Sequence, residues 1–204
     1  MNIVLETYPK SAIDSIFLTN HDMDRIASVI GPDIPKLKLA ASVLLSFPGV
    51  PYLYYGEEIA MSGRKPDEMI RRPMRWNRMK FGGFTSADRP WIKPDLSRES
   101  FNVSDMEKDQ VSLLNHYKKM IRLRNRHVAL RRGEYQSLKI SNPNIFGYFR
   151  SDPKQTLVIL HNFSTHKMEE ISLPKGIQVE RDILKNIATS TLGSFGPYQT
   201  KIFQ

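Results

Sequence analysis

The chain has 204 residues, 40% of them apolar and 25% charged, which is the composition of an ordinary globular protein. It contains no cysteine, which excludes disulfide bridges and cysteine-based metal sites, and no apolar run reaches the roughly 18 residues of a membrane-spanning helix. The net charge of +9 is spread along the chain without a nucleic-acid-binding motif, so neither nucleic acid nor a membrane is predicted as a partner, and the cellular location stays open.

A short apolar run near the start of the chain ends in polar residues, and the same pattern follows about one helix later. The first run, about Ser15–Thr19, is predicted to be a buried strand that ends in Asn20–Asp22. Residues 35–47 have helical composition, and the second strand is predicted within residues 51–58. Strand, helix and strand with apolar interiors form a βαβ unit, so we expect parallel strands whose polar tips lie at one edge.

Residues 59–108 are rich in proline, glycine, arginine and aspartate and lack periodicity, so they are predicted to form a long functional loop. Trp76, Phe84 and Trp91 lie in it and favour an ordered loop over disorder. Aromatic faces suit pyranose rings, but the same side chains could instead pack the loop onto the protein, and packing is the favoured interpretation. Apolar residues at helical spacing then predict a helix over residues 109–126.

After residue 131 the pattern changes to short apolar or alternating runs that are separated by turn residues. Their regular spacing is typical of an antiparallel sandwich or barrel. The chain is therefore expected to divide into an α/β part, residues 1–128, and an all-β part, residues 129–204. The strands are predicted over six ranges: 134–140, 145–150, 156–162, 168–173, 178–184 and 198–203.

The strand tips lie within two longer motifs, Phe17–Asp22 and Pro48–Ile59, and the loop contains Arg72–Trp76, Gly83–Thr85 and Pro90–Ile92. The first two motifs resemble the seventh and eighth barrel strands of the α-amylase family, glycoside hydrolase family 13. The loop motifs and the helix that follows them match the same family in the same order, and the β part resembles its C-terminal domain. The resemblance implies an α/β plus all-β fold: the last two β/α units of a (β/α)8 TIM barrel, followed by an antiparallel β-sandwich.

The resemblance assigns roles to the residues of the first strand tip. Asp22 matches the family's third catalytic carboxylate, which holds the sugar's hydroxyl groups and favours an oxocarbenium-like transition state. His21 matches an imidazole that hydrogen-bonds the same sugar. Asn20, Arg25 and Trp91 are the other candidate substrate-binding residues, although Asn20 is more typical of a turn. Three residues are interpreted as barrel packing and loop support: Tyr54, Tyr55 and Glu57.

The resemblance also implies which catalytic groups lie elsewhere. A retaining glycosidase needs a carboxylate nucleophile and a carboxylic acid/base about 5–5.5 Å apart. The family takes them from strands four and five, which precede the seventh strand, so we expect neither group in this chain and no hydrolysis by the chain alone. One motif, Phe149–Asp152, imitates the nucleophile sequence but runs into a proline turn, so Asp152 is interpreted as a hairpin residue.

No cofactor is predicted within this chain. The calcium-binding insertion of the family also precedes the seventh strand, so calcium is expected only in the upstream part of a longer protein. No metal site is predicted either, because the histidines lack metal-ligand spacing: His116, His127, His161 and His166.

The predicted function is cleavage of α-1,4-glucosidic bonds in starch or maltooligosaccharides by a longer protein to which this chain contributes. Within the family, Gly63–Glu68 before Arg72–Trp76 favours the bacterial α-amylases. Three alternatives stay open: an oligo-1,6-glucosidase or exo-acting α-glucosidase, a non-catalytic carbohydrate-binding or structural fragment, and a truncated reading frame without a role of its own. The predicted partners are an α-glucan oligosaccharide or polysaccharide and the N-terminal part of the barrel.

Overall fold

The computed structural model describes four stretches of the chain: residues 7–9, 12–95, 98–169 and 171–204. A mixed α/β part is followed by a part that is mostly antiparallel sheet. Within these stretches, no helix has both the length and the apolar character needed to cross a membrane.

The first part is built on two short parallel strands. Strand β1 (Ser15–Phe17) pairs with strand β2 (Val50–Tyr52) in the parallel direction. Helices α1 (Ile26–Val29) and α2 (Ile34–Ser46) lie between them in the chain. The predicted βαβ unit with parallel strands is therefore confirmed.

Both strands are shorter than the sequence predicted. β1 ends two residues early, because Asn20 starts a turn soon after it. β2 covers only the beginning of its predicted range, and residues 57–59 form a single 3-10 turn instead of strand. Gly56 and Ala60 flank this turn with left-handed backbones, φ 85° and 54°, which an extended strand cannot contain.

Helix α2 begins where Asp33 caps its first turn. The Asp33 side chain accepts a hydrogen bond from Lys36 N at 3.1 Å. Pro35 lies in the first turn, where a backbone N–H would have no carbonyl partner within the helix, so the lack of an N–H in proline costs no hydrogen bond. The helix ends before Pro48-Gly49, as the sequence predicted. Leu37, Ala41 and Leu45 of the helix are buried in the main core.

The described residues of the long loop after β2 include two short helices, α3 (Asp67–Ile70) and α4 (Val103–Lys108). Arg75 lies buried within it and donates a hydrogen bond to Arg98 O at 3.0 Å. Val103 N donates in turn to Arg75 O at 3.0 Å. These two hydrogen bonds tie the middle of the loop to its C-terminal part, and the prediction of order is confirmed for the described residues of the loop.

The predicted helix after the loop is α5 (Leu113–Arg126), and it begins four residues later than expected. Ser112 caps it by accepting a hydrogen bond from Asn115 N at 3.1 Å, which sets the start of the helix. A further short helix, α6 (Val128–Arg132), follows directly.

The second part of the chain forms an antiparallel sheet. Its strands are β3 (Glu134–Leu138), β4 (Ile145–Asp152), β5 (Gln155–Asn162), β6 (Arg181–Asp182), β7 (Ile187–Ala188) and β8 (Thr200–Phe203). In the described residues they make one six-stranded sheet in the order β3-β4-β5-β8-β6-β7. The antiparallel architecture was predicted from the sequence, and five of the six predicted strands are found there, one of them shortened to two residues.

The connection between β5 and β8 differs from the prediction. The predicted strand 168–173 is wrong: Met168 makes one isolated bridge to Phe195, and residue 170 lies outside the described residues. The predicted strand 178–184 shortens to β6, and β7 is additional. Prolines and glycines interrupt this connection, so its apolar side chains cover one face of the sheet without forming a second regular sheet in the described part of the chain.

The main core lies where the helices meet the other face of the sheet. Tyr148 and Ile159 from the sheet pack in one buried cluster with Leu45 of α2 and Met120 of α5. Arg124 of α5 also donates hydrogen bonds to the carbonyl oxygens of the α2 end. The cluster therefore contains residues from both sides of position 128, and the division into two domains there stays a prediction.

Candidate active site

Residues 20–22, called the polar tip here, follow β1, and Asn20 sets their conformation. Asn20 Oδ1 accepts a hydrogen bond from Asp22 N at 2.9 Å, which closes a tight turn of the kind that asparagine favours. The turn leaves the side chains of His21 and Asp22 66% and 63% exposed, so both are accessible from outside. Asn20 thus acts as a turn residue, as the sequence analysis favoured, and its role as a substrate contact stays a prediction.

His21, Asp22 and Arg71 form one polar cluster at this tip. His21 Nε2 lies 3.3 Å from Asp22 Oδ2, and Arg71 Nη2 lies 3.0 Å from Asp22 Oδ1. Arg71 Nε also donates to His21 O at 2.9 Å, and Arg71 Nη2 pairs with Asp67 at 2.8 Å. Both carboxylate oxygens of Asp22 therefore have a nitrogen neighbour, which fixes the direction in which the carboxylate points.

Arg71 was not among the residues predicted from the sequence to belong to the site. It is separated from Asp22 by 49 positions, and nothing local marks which of the two adjacent arginines, Arg71 and Arg72, reaches the strand tip. The available signal was the position of the pair directly after α3 and before the Pro-Met-x-Trp motif. Such a loop arginine is a candidate partner for a carboxylate on a neighbouring strand.

Arg25, which was predicted to be a substrate-binding residue, lies in the interior of the protein. Its side chain is 0% exposed and therefore cannot contact a substrate at the surface. Nε donates to Ile70 O at 2.8 Å, and Nη1 donates to Tyr55 O at 2.6 Å. The guanidinium also lies over the rings of Tyr54 and Tyr55, 4.4 and 4.7 Å from their centres, and burial lowers its pKa. The geometry makes Arg25 a residue that holds the β2 end against α3.

A buried hydrogen bond joins the two segments that follow β1 and β2 in the chain. Thr19 Oγ1 donates to Glu57 Oε1 at 2.7 Å. Glu57 is buried, and this burial raises its pKa to about 7, although the Thr19 hydrogen bond acts in the opposite direction. Tyr54 OH donates to Ile70 O and Tyr55 OH to Arg72 O, so the interpretation of this region as packing and loop support is confirmed.

Trp91 belongs to a groove beside the polar tip and does not pack the loop onto the protein. Its side chain is 80% exposed, and Trp76 and Phe84 are 49% and 50% exposed. The three line a cavity of about 790 Å³ together with Arg71, which connects the groove to Asp22. The favoured packing interpretation is wrong for Trp91, and its contact with sugar stays a prediction.

The half-buried His116 and the buried His161 have structural partners. Ser42 Oγ lies 2.8 Å from His116 Nε2, and burial lowers the pKa of His116 to about 4. His161 lies between Tyr148 OH at 3.0 Å and Thr200 Oγ1 at 2.8 Å, and its burial lowers its pKa to about 3. In the described part of the chain, no three potential metal-ligating side chains of histidine, aspartate or glutamate come together.

Asp152 closes the hairpin between β4 and β5. Its Oδ1 accepts hydrogen bonds from Lys154 N at 2.7 Å and from Gln155 N at 3.2 Å. The interpretation of Asp152 as a turn residue is therefore confirmed.

A protein-family model described as "Alpha amylase, catalytic domain" matches residues 1–133, which is more than half of the chain. The matched region contains the polar tip, the groove and all six helices defined above. The match places the chain in a family of glycoside hydrolases. Within that class, the chain belongs to the α-amylase family, glycoside hydrolase family 13.

Individual relatives agree with this assignment. The chain is 36% identical over 195 residues to "Alpha-amylase 3" of Dictyoglomus thermophilum, covering 93% of this chain and 38% of the relative. It is 29% identical over 236 residues to "Probable oligo-1,6-glucosidase 2" of Bacillus subtilis, covering 93% and 42%. The crystal structure of an α-amylase from H. orenii superposes with a TM-score of 0.80 at 30% identity, covering 95% of this chain and 40% of that one. The chain thus spans about two fifths of the length of these proteins.

Proposed function

We propose that this chain forms part of an active site that cleaves α-1,4-glucosidic bonds in starch and maltooligosaccharides. The observation that carries the proposal is the polar tip itself. In a member of the α-amylase family, an exposed aspartate at the end of a parallel strand is held by His21 on one side and by Arg71 on the other. A fixed, accessible carboxylate at this edge suits a substrate that carries hydroxyl groups.

Asp22 has the chemistry that the transition state of glycoside cleavage requires. Its carboxylate accepts hydrogen bonds from sugar hydroxyls, and its negative charge stabilises the positive charge that develops at the anomeric carbon. His21 lies beside it and donates or accepts a hydrogen bond to the same sugar. Arg71 holds the carboxylate of Asp22 in place, so the carboxylate does not need to reorient during the reaction.

The nucleophile and the acid/base are proposed to come from other barrel units of a longer polypeptide. Residues 1–128 would be the last two β/α units of a TIM barrel, and residues 129–204 would be the C-terminal β domain. The support is that β1 and β2 pair with each other alone in the described residues, which leaves a strand edge open on each side. Apolar residues near them are exposed, as expected of a surface that other barrel units cover: Phe17, Val50, Tyr52 and Leu53.

Cleavage of α-1,6 bonds is the second candidate. The 29% identity to a protein named as a probable oligo-1,6-glucosidase favours it specifically. The two activities would use the same Asp22 chemistry and differ in the linkage accepted.

Release of reducing sugar tests both candidates. The longest natural polypeptide that contains these residues would be supplied separately with soluble starch and with isomaltose, and the 204-residue chain would be tested beside it. We expect hydrolysis of starch by the longer polypeptide and none by the chain alone. Preference for isomaltose would favour the second candidate, and starch hydrolysis by the purified chain would contradict the proposed division of catalytic groups.

A further inference from the structure

The buried side chain of Arg25 is linked to the polar tip by hydrogen bonds that run through the loop after β2. We propose that Arg25 is a positioning residue for Asp22, which acts through the backbone at Ile70 and the side chain of Arg71. This role rests on the proposed function, because Arg25 affects the reaction only if Asp22 takes part in glycoside cleavage. Arg25 itself makes no contact with the sugar in this role.

The link begins at the carbonyl oxygen of Ile70, the last residue of α3. Ile70 O accepts one hydrogen bond from Arg25 Nε at 2.8 Å and a second from Tyr54 OH at 3.1 Å. Ile70 is itself buried, so two donors fix this carbonyl group in the interior of the protein. Arg71 is the next residue, and the backbone from which its side chain extends is therefore held by Arg25.

Arg71 connects this fixed backbone to the polar tip. Its Nε donates to His21 O at 2.9 Å, and its Nη2 donates to Asp22 Oδ1 at 3.0 Å. Arg25 follows Asp22 by three positions, and its backbone N donates to Gly63 O at 2.9 Å. The chain segment that contains Asp22 and the loop that contains Arg71 are therefore joined through both arginines.

The chemistry of arginine explains why a charged side chain occupies this interior position. Removing a charged group from water is costly, and an apolar side chain would fill the same space without that cost. The planar guanidinium instead presents donors in fixed directions, so that Nε reaches Ile70 O and Nη1 reaches Tyr55 O at 2.6 Å. The rings of Tyr54 and Tyr55 lie against the same guanidinium and offset part of the lost hydration. Arg25 thus supplies directed hydrogen bonds in addition to packing.

The placement of Arg71 determines how Asp22 presents its charge to the substrate. A carboxylate that stabilises a developing positive charge is most effective when it does not have to reorient during the reaction. Displacement of Ile70 O would move the backbone that carries Arg71, and a misplacement of about 1 Å at a positioning group is enough to reduce catalysis. The loss falls on the transition state, so kcat should fall while KM changes little.

Kinetics of Arg25→Lys in the longest natural polypeptide that contains this chain test the positioning role. Lysine keeps the positive charge but replaces the planar fork of donors with a single nitrogen. With soluble starch as substrate, we expect kcat to fall about tenfold and KM to change by less than about twofold. Arg124→Lys is the matched control, because Arg124 is also a buried arginine that donates to carbonyl oxygens, but at the end of α2. The control should keep kcat within about twofold of the parent even if its urea midpoint falls equally.

Combined substitutions test whether Arg25 acts through Arg71. In a variant that already contains Arg71→Ala, Arg25→Lys should reduce kcat by less than about twofold, because the connection to Asp22 is already lost. Tyr54→Phe removes the second donor to Ile70 O and should reduce kcat about two- to threefold, and this effect should also disappear in the Arg71→Ala background. The Tyr54→Phe measurements decide the question if Arg25→Lys does not fold.

Equal reductions of kcat by Arg25→Lys with and without Arg71→Ala would overturn the positioning role, as would equal kcat values for Arg25→Lys and Arg124→Lys. Asp22→Asn, measured in the same series, separates this role from the proposed function. A large loss of kcat in Asp22→Asn with near-normal values in Arg25→Lys and Tyr54→Phe would refute only the role of Arg25. A near-normal kcat in Asp22→Asn would refute the proposed function and the role of Arg25 together.

Discussion

Arg71 Nη2 lies 3.0 Å from Asp22 Oδ1, and its Nε donates to the carbonyl oxygen of His21. One guanidinium from the loop after β2 therefore fixes both the backbone and the carboxylate at the tip of β1. The same arginine pairs with Asp67 of α3, which anchors it from behind. The polar tip is thus assembled from two separate βα connections, as barrel active sites are.

Arg71→Ala should reduce activity far more than stability. Loss of a charge-assisted hydrogen bond to Asp22 should lower kcat/KM about 10- to 100-fold, while the exposed ion pair contributes less than about 1 kcal/mol to folding. Steady-state kinetics and urea denaturation of the longer polypeptide would measure the two effects. Arg64→Ala is the control, because Arg64 forms a similar exposed pair with Asp24. Equal kinetics for the two variants would contradict a positioning role for Arg71.

Glu57 should make the protein less stable as the pH rises. Its pKa of about 7 in the folded chain exceeds the ordinary 4.5, so between these values the folded state retains a proton that the unfolded state has released. This contribution to stability is complete below about pH 4.5 and is lost as the pH rises towards 7. Glu57→Gln preserves an acceptor for Thr19 and removes the titration. From pH 5 to pH 8, the unfolding free energy of Glu57→Gln should rise relative to the parent by about 2–3 kcal/mol.

His161 should make the protein less stable as the pH falls, which is the opposite of the effect of Glu57. Its pKa of about 3 in the folded chain lies below the ordinary 6.5, so the unfolded state binds a proton that the folded state rejects. The stability contributed by neutral His161 is complete above about pH 6.5 and is lost as the pH falls towards 3. The advantage of the parent over His161→Gln in denaturation experiments should therefore shrink as the pH falls. The exposed His166 offers a control, and an advantage independent of pH would refute the assignment.

Several features of the fold were predictable from the sequence because they depend on local chemistry. Pro35 and the break at Pro48-Gly49 mark the limits of α2, and short apolar or alternating runs mark β3, β4 and β5. Asp152 was recognisable as a turn residue from the proline that follows it. Strands of two residues, such as β6 and β7, contain too few positions for any period to be visible.

The errors at the site arise from contacts between distant residues. An arginine three positions after Asp22 suggested a substrate contact, but Arg25 turns inward because carbonyl oxygens of Tyr55 and Ile70 accept its hydrogen bonds. The pairing of Asp22 with Arg71 depends on how the long loop folds back over β1. The local sequence around these residues encodes neither the inward orientation of Arg25 nor the pairing of Asp22 with Arg71.

Tyr148 should stabilise the contact between α2 and the sheet. Its hydroxyl lies 2.6 Å from Ser46 Oγ and 3.0 Å from His161 Nε2, and all three residues are buried. Tyr148→Phe leaves both partners without this bond and should lower the free energy of unfolding by about 1–3 kcal/mol. Tyr52→Phe, on an exposed residue of β2, should change it little. Equal denaturation midpoints for the two variants would contradict the structural role of this hydroxyl.

The central claim is that Asp22 stabilises the transition state of glycoside cleavage. The most direct measurement is kcat for soluble starch of Asp22→Asn in the longest natural polypeptide that contains this chain, with Asp24→Asn as the matched control two residues away. Asn keeps the shape of the side chain and removes its charge, so kcat should fall by a factor corresponding to about 3–5 kcal/mol, whereas Asp24→Asn should stay within a few-fold of the parent. A near-normal kcat for Asp22→Asn would contradict the account.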